Sequence, residues 1–251
     1  MPIIQALDRA LRILDLFDEH NRELKITEIS SRIGLHKSTV HSLLKTLQMH
    51  RYIEQDENGL YRLGMRLLEK GQSILQGFDI REVAKPYLQQ LSDQTGQTVH
   101  LVIRDGGEGV YIDKVEGSRA AIRYSRIGKR VPLHSSAVGK VLAAMAPPED
   151  LAKTLKNYVY TLHTPNTITN EKAFREELER VRESGVAYDK EENEPGVRCA
   201  AAPVYDHGGQ IAAAVSISTM AFTVSEEEQE RFVRLIRDVA DRISRGLGYR
   251  G

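Results

Sequence analysis

Cysteine, net charge and long apolar runs are all scarce in this sequence of 251 residues. The single cysteine, Cys199, excludes a disulfide within the chain and the zinc modules that are built from paired cysteines. No apolar run approaches the roughly 18 residues that a membrane span needs. The N-terminal MPIIQALDRA also contains an acid and lacks the apolar core of a signal peptide. We therefore expect a cytoplasmic protein with no membrane partner.

Common catalytic and metal-binding motifs are missing as well. Gly139-Lys140 is not a P-loop, because no glycine stands five residues before Gly139 and Val141 replaces the magnesium-binding hydroxyl. The chain has no GxSxG elbow, no GxGxxG and no HExxH. Four scattered side chains lack the spacing of metal ligands: His134, His163, Cys199 and His207. We predict no bound metal and no cofactor.

The charge balance excludes a strong positive field around the whole molecule, since 35 Lys and Arg residues are matched by 35 Asp and Glu residues. Any contact with nucleic acid must therefore be local. One window is suitable, because residues 29–53 contain no acid while they include Arg32, Lys37, Lys45 and Arg51. This window would tolerate a phosphate backbone.

Two short helices joined by a tight turn are predicted for residues 25–49, KITEISSRIGLHKSTVHSLLKTLQM. Thr27 is a suitable N-cap for the first helix, and Gly34 ends it. The second helix has one apolar stripe, formed by Val40, Leu43, Leu44 and Leu47. Its opposite face carries Ser38, His41, Ser42, Lys45 and Met49. An earlier helix has its own apolar stripe, which predicts core positions at Leu7, Leu11, Leu14 and Phe17.

A β-hairpin is predicted directly after the second helix of this pair. Residues 51–63, RYIEQDENGLYRL, alternate in polarity around Asn58-Gly59, a pair typical of turns in which both central residues have positive φ. Two helices followed by a hairpin indicate a winged helix-turn-helix, which inserts its second helix into the major groove of DNA. The alternative is a plain helical hairpin whose polar face meets only water.

A series of short motifs extends over nearly the whole chain. The first four are ALDRALRIL, TEIS, GLHKSTVHSLLKTL and YRLG, and the later ones are TGQTVHLVIRDG, PLHSSAVGKVLAA, DKEEN, GVRCAAAPV and VSIS. In order and spacing they resemble the IclR family of bacterial transcriptional regulators. The resemblance implies an N-terminal winged helix-turn-helix and a C-terminal α/β effector-binding domain of the GAF/profilin type. The expected fold class is α+β.

The second helix of the pair supplies the predicted DNA-binding residues. Those expected to contact double-stranded operator DNA are Lys37, Ser38, Thr39, His41, Ser42 and Lys45. The chain departs from the family at Ser42, where Arg is common, and at His36, where Pro or Ser is common. Lys37 and Lys45 must therefore contribute more of the affinity for phosphate.

The remaining periodicity predicts helices, then strands, then both. A linker helix is expected within residues 64–77, followed by a helix at 80–95 whose start Pro86 leaves open as far as residue 85. Strands are predicted at 98–104, 108–115, 121–125, 186–190, 199–205 and 211–218, and helices at 136–145, 150–155, 170–184 and 225–247. The expected domains are 1–64 for DNA binding, 65–79 as linker, and 80–251 for effector binding and oligomerisation.

The resemblance also implies an effector pocket in the second domain. Matched position by position, its lining is Ala137, Val138, Asp189, Val197, Cys199, Ser216 and Ser218. Ser216 and Ser218 are two residues apart on a predicted strand, so their hydroxyls point to one face. The alternative is that both hydroxyls only satisfy neighbouring backbone groups.

The charge of the effector is suggested by the stretch IRYSRIGKR, residues 122–130, which contains Arg123 and three further cations but no acid. Because arginine binds carboxylates through two parallel hydrogen bonds, we expect a small anionic metabolite such as a sugar acid. A basic loop that is merely solvated, or paired with a partner subunit, is the alternative. The run YSRIGKRVPLHSSAVGKVLAA resembles the branch of the family represented by the 2-keto-3-deoxygluconate regulator.

We therefore expect a DNA-binding transcriptional regulator, preferably a repressor, that is controlled by a small carboxylate. It should act as a homodimer or a dimer of dimers, paired through the apolar helices around Leu11 and Leu67. An activator with the same parts, or a constitutive DNA binder, remains open. An enzyme built on Cys199, His134 and Asp189 is a further alternative, since such residues need only meet in space.

Overall fold

The computed structural model describes residues 3–18, 20–76, 79–120 and 125–250, and for residues 73–76 and 79 it describes the backbone alone. The chain divides into two compact units, an N-terminal unit of residues 1–77 and a C-terminal unit of residues 78–251. Within the described ranges, no helix is both long and apolar enough to span a membrane.

The N-terminal unit is a three-helix arrangement with a small sheet and a final helix. Its elements are α1 (Gln5–Leu14), β1 (Leu24–Lys25), α2 (Ile26–Ile33), α3 (Lys37–Met49), β2 (Ile53–Gln55), β3 (Leu60–Leu63) and α4 (Met65–Gln76). The strands are antiparallel in the order β1-β3-β2. Side chains from all of these elements except α4 form the buried core: Ile13, Phe17, Leu24, Ile29, Val40, Leu44, Ile53 and Tyr61.

The predicted core stripe of α1 is wrong at two positions. Leu7 is 57% exposed and Leu11 is 52% exposed, whereas Ile13 is fully buried and Phe17 is nearly so. The helix has apolar residues on more than one face, and only the face that ends in Ile13 meets α2 and α3. Leu7 and Leu11 are left with Ile3 and Ile4 on an exposed apolar surface.

The start of α2 also differs from the prediction. Thr27 lies inside the helix, whose N-cap is Lys25. The Glu28 carboxylate accepts a hydrogen bond from the Lys25 amide at 2.7 Å, so the helix start is satisfied from within its first turn. The predicted end is confirmed, because Gly34 has φ 68° and its amide donates to the Ser30 carbonyl.

The hairpin of β2 and β3 is confirmed, but its turn is of another type. Only Gly59 has positive φ, at 78°, and Asn58 does not. The loop is closed by Asp56, whose carboxylate accepts hydrogen bonds from the Asn58 and Leu60 amides at 3.0 and 2.8 Å. A longer turn built on an aspartate therefore replaces the two-residue turn.

The C-terminal unit is an antiparallel six-stranded sheet with helices on both faces, in the strand order β6-β5-β4-β9-β8-β7. Its strands are β4 (Thr98–Asp105), β5 (Glu108–Val115), β6 (Arg130–Pro132), β7 (Ala187–Lys190), β8 (Val197–Tyr205) and β9 (Ile211–Met220). Its helices are α5 (Asp79–Thr95), α6 (Ala137–Ala144), α7 (Pro148–Leu155), α8 (Glu171–Ser184) and α9 (Glu226–Gly246). Helices and strands are thus mixed without a repeating βαβ pattern, and the predicted α+β class is confirmed.

The two faces of this sheet have separate cores. On the outer face, α5 and α9 pack on side chains such as Leu101, Val215 and Ile217. On the inner face, α6, α7 and α8 pack on side chains such as Val102 and Ala201. Because successive residues of a strand point to opposite faces, each strand contributes alternately to the two cores.

Most predicted elements of this unit are confirmed, with three qualifications. The α5 helix begins at Asp79 and continues through Pro86, which resolves the open start in favour of the longer helix. The strand predicted at 121–125 falls mostly on residues 121–124, which lie outside the described residues. The strand next to β5 is instead the three-residue β6, which the periodicity did not reveal.

Candidate nucleic-acid interface and ligand site

The exposed face of α3 carries the residues predicted to meet DNA. Burying Val40 and Leu44 fixes the rotation of the helix, so that Ser38, His41, Ser42 and Lys45 are exposed. Lys37 is exposed at the helix start, and Thr39 is half-buried. The structure thus brings five of the six predicted residues onto one accessible surface and turns the sixth partly toward the core.

The start of α3 is open to an anion. Its N-cap, His36, has an extended backbone, and its side chain makes no capping hydrogen bond. The first-turn amides and the positive end of the helix dipole are therefore available to a phosphate group. Ser42 donates its hydroxyl hydrogen to the Ser38 carbonyl at 3.1 Å, which leaves its oxygen lone pairs facing outward as acceptors.

The cations of this face are Lys37 and Lys45. In the described part of the chain, no carboxylate pairs with Lys37 or Lys45. The chain then leaves α3 through Arg51, which has φ 59°, and enters β2. Directly after β3, at the base of the hairpin, the Gly64 amide donates a hydrogen bond to the Tyr52 carbonyl at 2.9 Å. This bond fixes the hairpin against the end of α3.

A row of polar side chains crosses four strands on the inner face of the C-terminal sheet. Register pairs Asp189 of β7 with Cys199 of β8, Cys199 with Ser218 of β9, and Ser218 with Thr98 of β4. We call these four residues the polar row. A neighbouring pair, Ser216 and His100, lies beside the row in the same sheet.

Side chains of this region contact one another directly. The Cys199 sulfur lies 3.1 Å from the Ser218 hydroxyl. The His100 Nδ1 atom faces the Ser216 and Ser218 hydroxyls at 3.5 Å each, and its Nε2 atom is 2.7 Å from the Ser125 hydroxyl. The Thr98 hydroxyl is fully buried and has no hydrogen-bond partner among the described residues. Buried hydroxyls without a partner are uncommon, so Thr98 is a candidate contact for a polar ligand.

Burial keeps most of these groups uncharged at neutral pH. Desolvation lowers the pKa of His100 to about 3, with a further contribution from the charge of Lys114, so the imidazole is neutral. Desolvation likewise raises the pKa of the Cys199 thiol and of the Tyr111 phenol, whose ring is 4.9 Å from that of His100. Desolvation also raises the pKa of Asp189 to about 7, despite hydrogen bonds from the Glu192 and Asn193 amides. The site therefore offers neutral donors and acceptors together with one carboxyl that titrates near neutrality.

Helix α6 begins over this face with the two residues predicted from the PLH motif. Ala137 and Val138 are buried in the inner core. The Ser136 hydroxyl accepts a hydrogen bond from the Gly139 amide at 3.1 Å, which caps the third residue of the helix. The amides of Ala137 and Val138 remain as the first-turn donors that helix geometry offers to an anion.

Family models match both units of the chain. A model described as IclR helix-turn-helix domain matches residues 6–57, and one described as Bacterial transcriptional regulator IclR C-terminal matches residues 72–245. The chain belongs to the IclR family. The protein is thus a DNA-binding transcriptional regulator, and the predicted fold, with its N-terminal helix-turn-helix and C-terminal sheet domain, is confirmed.

Similar proteins cover almost the full length of this IclR-family chain. It is 52% identical over 250 residues to the HTH-type transcriptional regulator XynR of Escherichia coli, with 99% of each chain covered. It is 38% identical over 247 residues to KdgR of the same organism, covering 98% of this chain and 94% of the relative. This identity agrees with the predicted resemblance to the 2-keto-3-deoxygluconate branch, although the identity with XynR is higher.

A solved structure from the family contains a small carboxylate. The IclR homologue of Microbacterium hydrocarbonoxydans, crystallised with 4-hydroxybenzoate, is 25% identical to this chain and superposes with a TM-score of 0.82. The match covers 96% of this chain and 98% of the homologue.

Val197 and Arg123 complete the predicted ligand-site residues of this IclR-family protein. Val197 is buried at the start of β8, two residues before Cys199, and therefore faces the same side of the sheet. Arg123 lies outside the described residues. From the same basic loop, Arg130 pairs with the carboxylates of Asp105 and Glu108, so this cation is engaged at the surface.

The residues of the enzyme alternative do not form a catalytic group. His134 has both ring nitrogens engaged, Nδ1 with the Tyr158 hydroxyl at 2.9 Å and Nε2 with the Thr161 carbonyl at 3.0 Å. Cys199 contacts Ser218 instead, and its raised pKa disfavours the thiolate that a nucleophile requires. Among the described residues, no group of His, Cys, Asp and Glu side chains has the arrangement of a metal site.

A buried lysine holds the loop that follows Asp189, one of the predicted ligand-site residues. Lys140 of α6 is 1% exposed, and its ammonium lies 2.7 Å from Glu192 and 3.2 Å from Glu177 of α8. It also donates to the Tyr188 carbonyl of β7 at 2.8 Å. Since β7 is the edge strand, this bond covers a backbone group that would otherwise be open to pairing. The loop after Asp189 is thereby tied to α6.

Thr98, His100 and Tyr111 lie beside the predicted ligand-site residues but were not singled out from the sequence. His100 and Thr98 stand in the strand TVHLVIRD, and Tyr111 stands in EGVYIDKV, both of which read as ordinary core strands. A signal was present, because Thr98 and His100 are polar residues two apart in an apolar strand. Only the pairing of β4 with β9 places them beside Ser216 and Ser218.

Proposed function

We propose that the protein reads operator DNA with α3 and releases it when a small carboxylate binds over the polar row of the C-terminal unit. The observation that carries the ligand site is the polar row itself, a buried set of hydrogen-bonding groups with one unsatisfied hydroxyl at Thr98. For the DNA site, support comes from the exposed polar face of α3 and its unneutralised lysines.

In this proposal the ligand has a charged end and a neutral polar end. Its carboxylate accepts hydrogen bonds from the first-turn amides of Ala137 and Val138, at the positive end of α6. Its hydroxyl groups contact Ser216, Ser218 and Asp189, since these groups are neutral or become so near pH 7. A hydroxy acid, such as a sugar acid, has both features. The carboxylate in the homologue from Microbacterium hydrocarbonoxydans is consistent with this class.

We propose that the protein represses transcription of its target genes. A regulator whose operator overlaps the promoter blocks transcription by its presence alone, whereas activation requires a further surface that contacts polymerase. Activation with the same two sites is the alternative. Gene expression in cells with and without the regulator decides between them, because loss of a repressor raises transcription of its target and loss of an activator lowers it.

We also propose that the working form is a homodimer or a dimer of dimers. A single α3 contacts only a few base pairs, so two copies related by two-fold symmetry give a longer and more specific site. The exposed apolar surface of Ile3, Ile4, Leu7 and Leu11 supports pairing through α1. The segment 65–79 is the proposed connection between a DNA-binding domain, 1–64, and an effector domain, 80–251.

Replacement of Thr98 by valine provides the most direct test of the ligand site. Thr98→Val keeps the shape of the side chain and removes an unsatisfied hydroxyl, so the fold should be as stable as the wild type or more so. Ligand binding should weaken about tenfold, because one hydrogen bond to the ligand is lost. The measurement is calorimetric titration with a panel of sugar acids, using Ser218→Ala as a second site variant and Thr223→Val as the exposed control.

The affinity of the two site variants, Thr98→Val and Ser218→Ala, for operator DNA should also be measured without ligand. Both site variants should retain it, because neither residue belongs to the N-terminal unit. If every sugar acid binds Thr98→Val and Ser218→Ala as tightly as the wild type, the assignment of the polar row is wrong.

A further inference from the structure

A second groove lies on the opposite face of the strands that carry the polar row. It has a volume of about 510 Å³ and is formed by the outer face of β7, β8 and β9 and by the first turns of α9. Its charged and polar lining includes Lys190, Arg198, Glu226, Gln229 and Glu230, and Asp189 and Cys199 of the polar row also line it. We call it the rear groove. Its size is within the range of small-molecule sites.

Two hydrogen-bond donors of the rear groove are buried and unsatisfied. The Nε atom of Arg198 and the Nε2 atom of Gln229 have no partner among the described residues, and they come from different elements, β8 and α9. Buried donors without an acceptor are uncommon, and two on residues that line one groove favour a ligand that supplies acceptors.

The Arg198 side chain is held in place by a residue with an unusual backbone. Its Nη2 atom lies 3.3 Å from the carboxylate of Glu191, which has φ 64° and also accepts a hydrogen bond from the Gly196 amide at 3.1 Å. A non-glycine residue in the left-handed region is strained and is often found near functional sites. The ion pair orients the guanidinium and leaves its Nε–H without a partner.

The other charges of the groove are of both signs. Lys190 extends over the Tyr188 ring at 5.8 Å on the sheet side, while Glu226 and Glu230 come from one face of α9. A simple anion would be repelled by the two glutamates, and a simple cation would leave the two donors unsatisfied. A ligand with both a carboxylate and an ammonium group suits the groove, because the carboxylate accepts from the two donors and the ammonium group pairs with a glutamate.

The floor of the groove is apolar. Ala200 and Ile217 form it on the sheet side, Val233 closes it on the helix side, and the Tyr188 ring makes a wall. An aliphatic or aromatic side chain of a ligand would be removed from water there.

We propose that the rear groove binds a free α-amino acid with an apolar side chain. Its carboxylate accepts hydrogen bonds from Arg198 and Gln229, its ammonium group donates to Glu226 or Glu230, and its side chain packs on Ala200 and Ile217. This site is distinct from the proposed effector site, because Thr98, Ser216 and Ser218 point to the other face of the sheet.

The two sites nevertheless share strands. On β8, Arg198 lines the rear groove and the next residue, Cys199, belongs to the polar row. On β7, Tyr188 lines the rear groove and the next residue, Asp189, belongs to the polar row. A ligand that shifts β7 and β8 from the rear groove therefore moves residues of the polar row. Amino-acid binding should change effector affinity, and by linkage the effector should change amino-acid affinity by the same factor.

The test is an NMR titration of the full-length protein, labelled with ¹⁵N, using L-leucine as probe. Saturable shifts of the Arg198 Nε–H and Gln229 side-chain amide signals are expected. N-acetyl-L-leucine, which lacks the ammonium group, and L-leucinamide, which lacks the carboxylate, should each bind about tenfold more weakly or worse. Absence of saturable shifts with L-leucine at about 10 mM would overturn the proposal. Equal binding of all three probes would do so as well.

Variants separate this site from the proposed effector site. Gln229→Leu should weaken L-leucine binding about tenfold. Gln94→Leu, at an exposed position of α5, should leave it unchanged. Thr98→Val should also leave it unchanged, so failure of the effector assignment would not be mistaken for failure of this one. If Gln229→Leu binds L-leucine like the wild type, the amino acid does not occupy the rear groove.

Discussion

The buried carboxyl of Asp189 makes the stability of the C-terminal unit depend on pH. Its folded-state pKa of about 7 is above its ordinary value of 3.8, so the folded protein holds this proton more tightly than the unfolded chain does. The resulting stabilisation is fully present below about pH 4 and is lost as the pH rises through about 7. Above that pH a buried carboxylate lowers the free energy of unfolding.

Asp189→Asn should remove this pH dependence, because an amide does not titrate. The Glu192 and Asn193 amides both donate to Oδ1 of Asp189, so an amide oxygen can accept the same two bonds. The variant should therefore gain stability relative to the wild type as the pH is raised from about 5 to about 8. Urea unfolding at several pH values measures the difference, and a difference that is constant with pH would contradict the assignment.

Lys45 should act through phosphate rather than through a base. Replacing it with alanine removes one exposed cation of α3 and leaves the buried stripe of Val40 and Leu44 intact. Affinity for operator and non-operator DNA should fall alike, and the slope of log affinity against log salt should decrease by about one. Electrophoretic or fluorescence titrations at several salt concentrations provide the measurement.

A matched control for this experiment is Lys172→Ala, which removes an exposed lysine of α8 in the other unit. It should leave both the affinity and the slope unchanged. If Lys45→Ala behaves like Lys172→Ala, α3 does not contact the DNA backbone at this position.

The wing depends on one glycine that allows two backbone segments to meet. A Cβ atom at Gly64 would lie 2.2 Å from the Arg51 carbonyl oxygen, which is backbone and cannot rotate away. Gly64→Ala should therefore lower the free energy of unfolding of the N-terminal unit by about 1–3 kcal/mol. DNA affinity should fall with it, because the hairpin is anchored to the end of α3 at this point.

Gly71→Ala is the corresponding control in α4. A Cβ atom there meets nothing within 4 Å, and alanine favours a helix over glycine by about 1 kcal/mol. This substitution should stabilise the helix slightly. Amide hydrogen exchange of α2 and α3 distinguishes the two variants, and equal exchange rates in both would show that Gly64 is not under steric constraint.

Elements with local signals could be predicted from the sequence. Asn170 caps α8 by accepting a hydrogen bond from the Ala173 amide, and Gly185 ends it with φ 66°, as the pattern indicated. Short strands that depend on distant partners could not be predicted: β1 has two residues and pairs with β3, and β6 has three and pairs with β5. The apolar pattern of α1 could not show which of its faces meets the core of its own unit.

The same distinction applies to the ligand site. Ser216 and Ser218 are two apart on one strand, so their common direction is a local property. Their neighbours Thr98 and His100 are separated from them by more than 110 residues and are brought there by the register of β4 with β9. For the candidate DNA interface, α3 contains all six predicted residues, so their placement on one helix is also a local property.

At the scale of the whole molecule, the exposed apolar surface of α1 should determine subunit association. Leu7→Glu with Leu11→Glu places charge on a surface where both positions are more than half exposed, so the fold of the unit should persist. Pairing of two copies through this surface should be lost, and operator affinity should fall with it. Sedimentation velocity measures the association state.

The control for this change is Leu162→Glu, at an exposed apolar position of the C-terminal unit. It should sediment like the wild type. If the double variant of α1 also sediments like the wild type and binds operator equally well, association takes place elsewhere.

Lys140 gives the molecule an amine that acylating reagents cannot reach while the fold is closed. Its ammonium is enclosed by groups from α8, β7 and the loop after β7, whereas lysines such as Lys153 extend into water. Acetyl donors should modify the exposed lysines first. Modification of Lys140 requires α6 to separate from that loop. The rate of acetylation of Lys140 therefore measures how often this part of the proposed effector site opens.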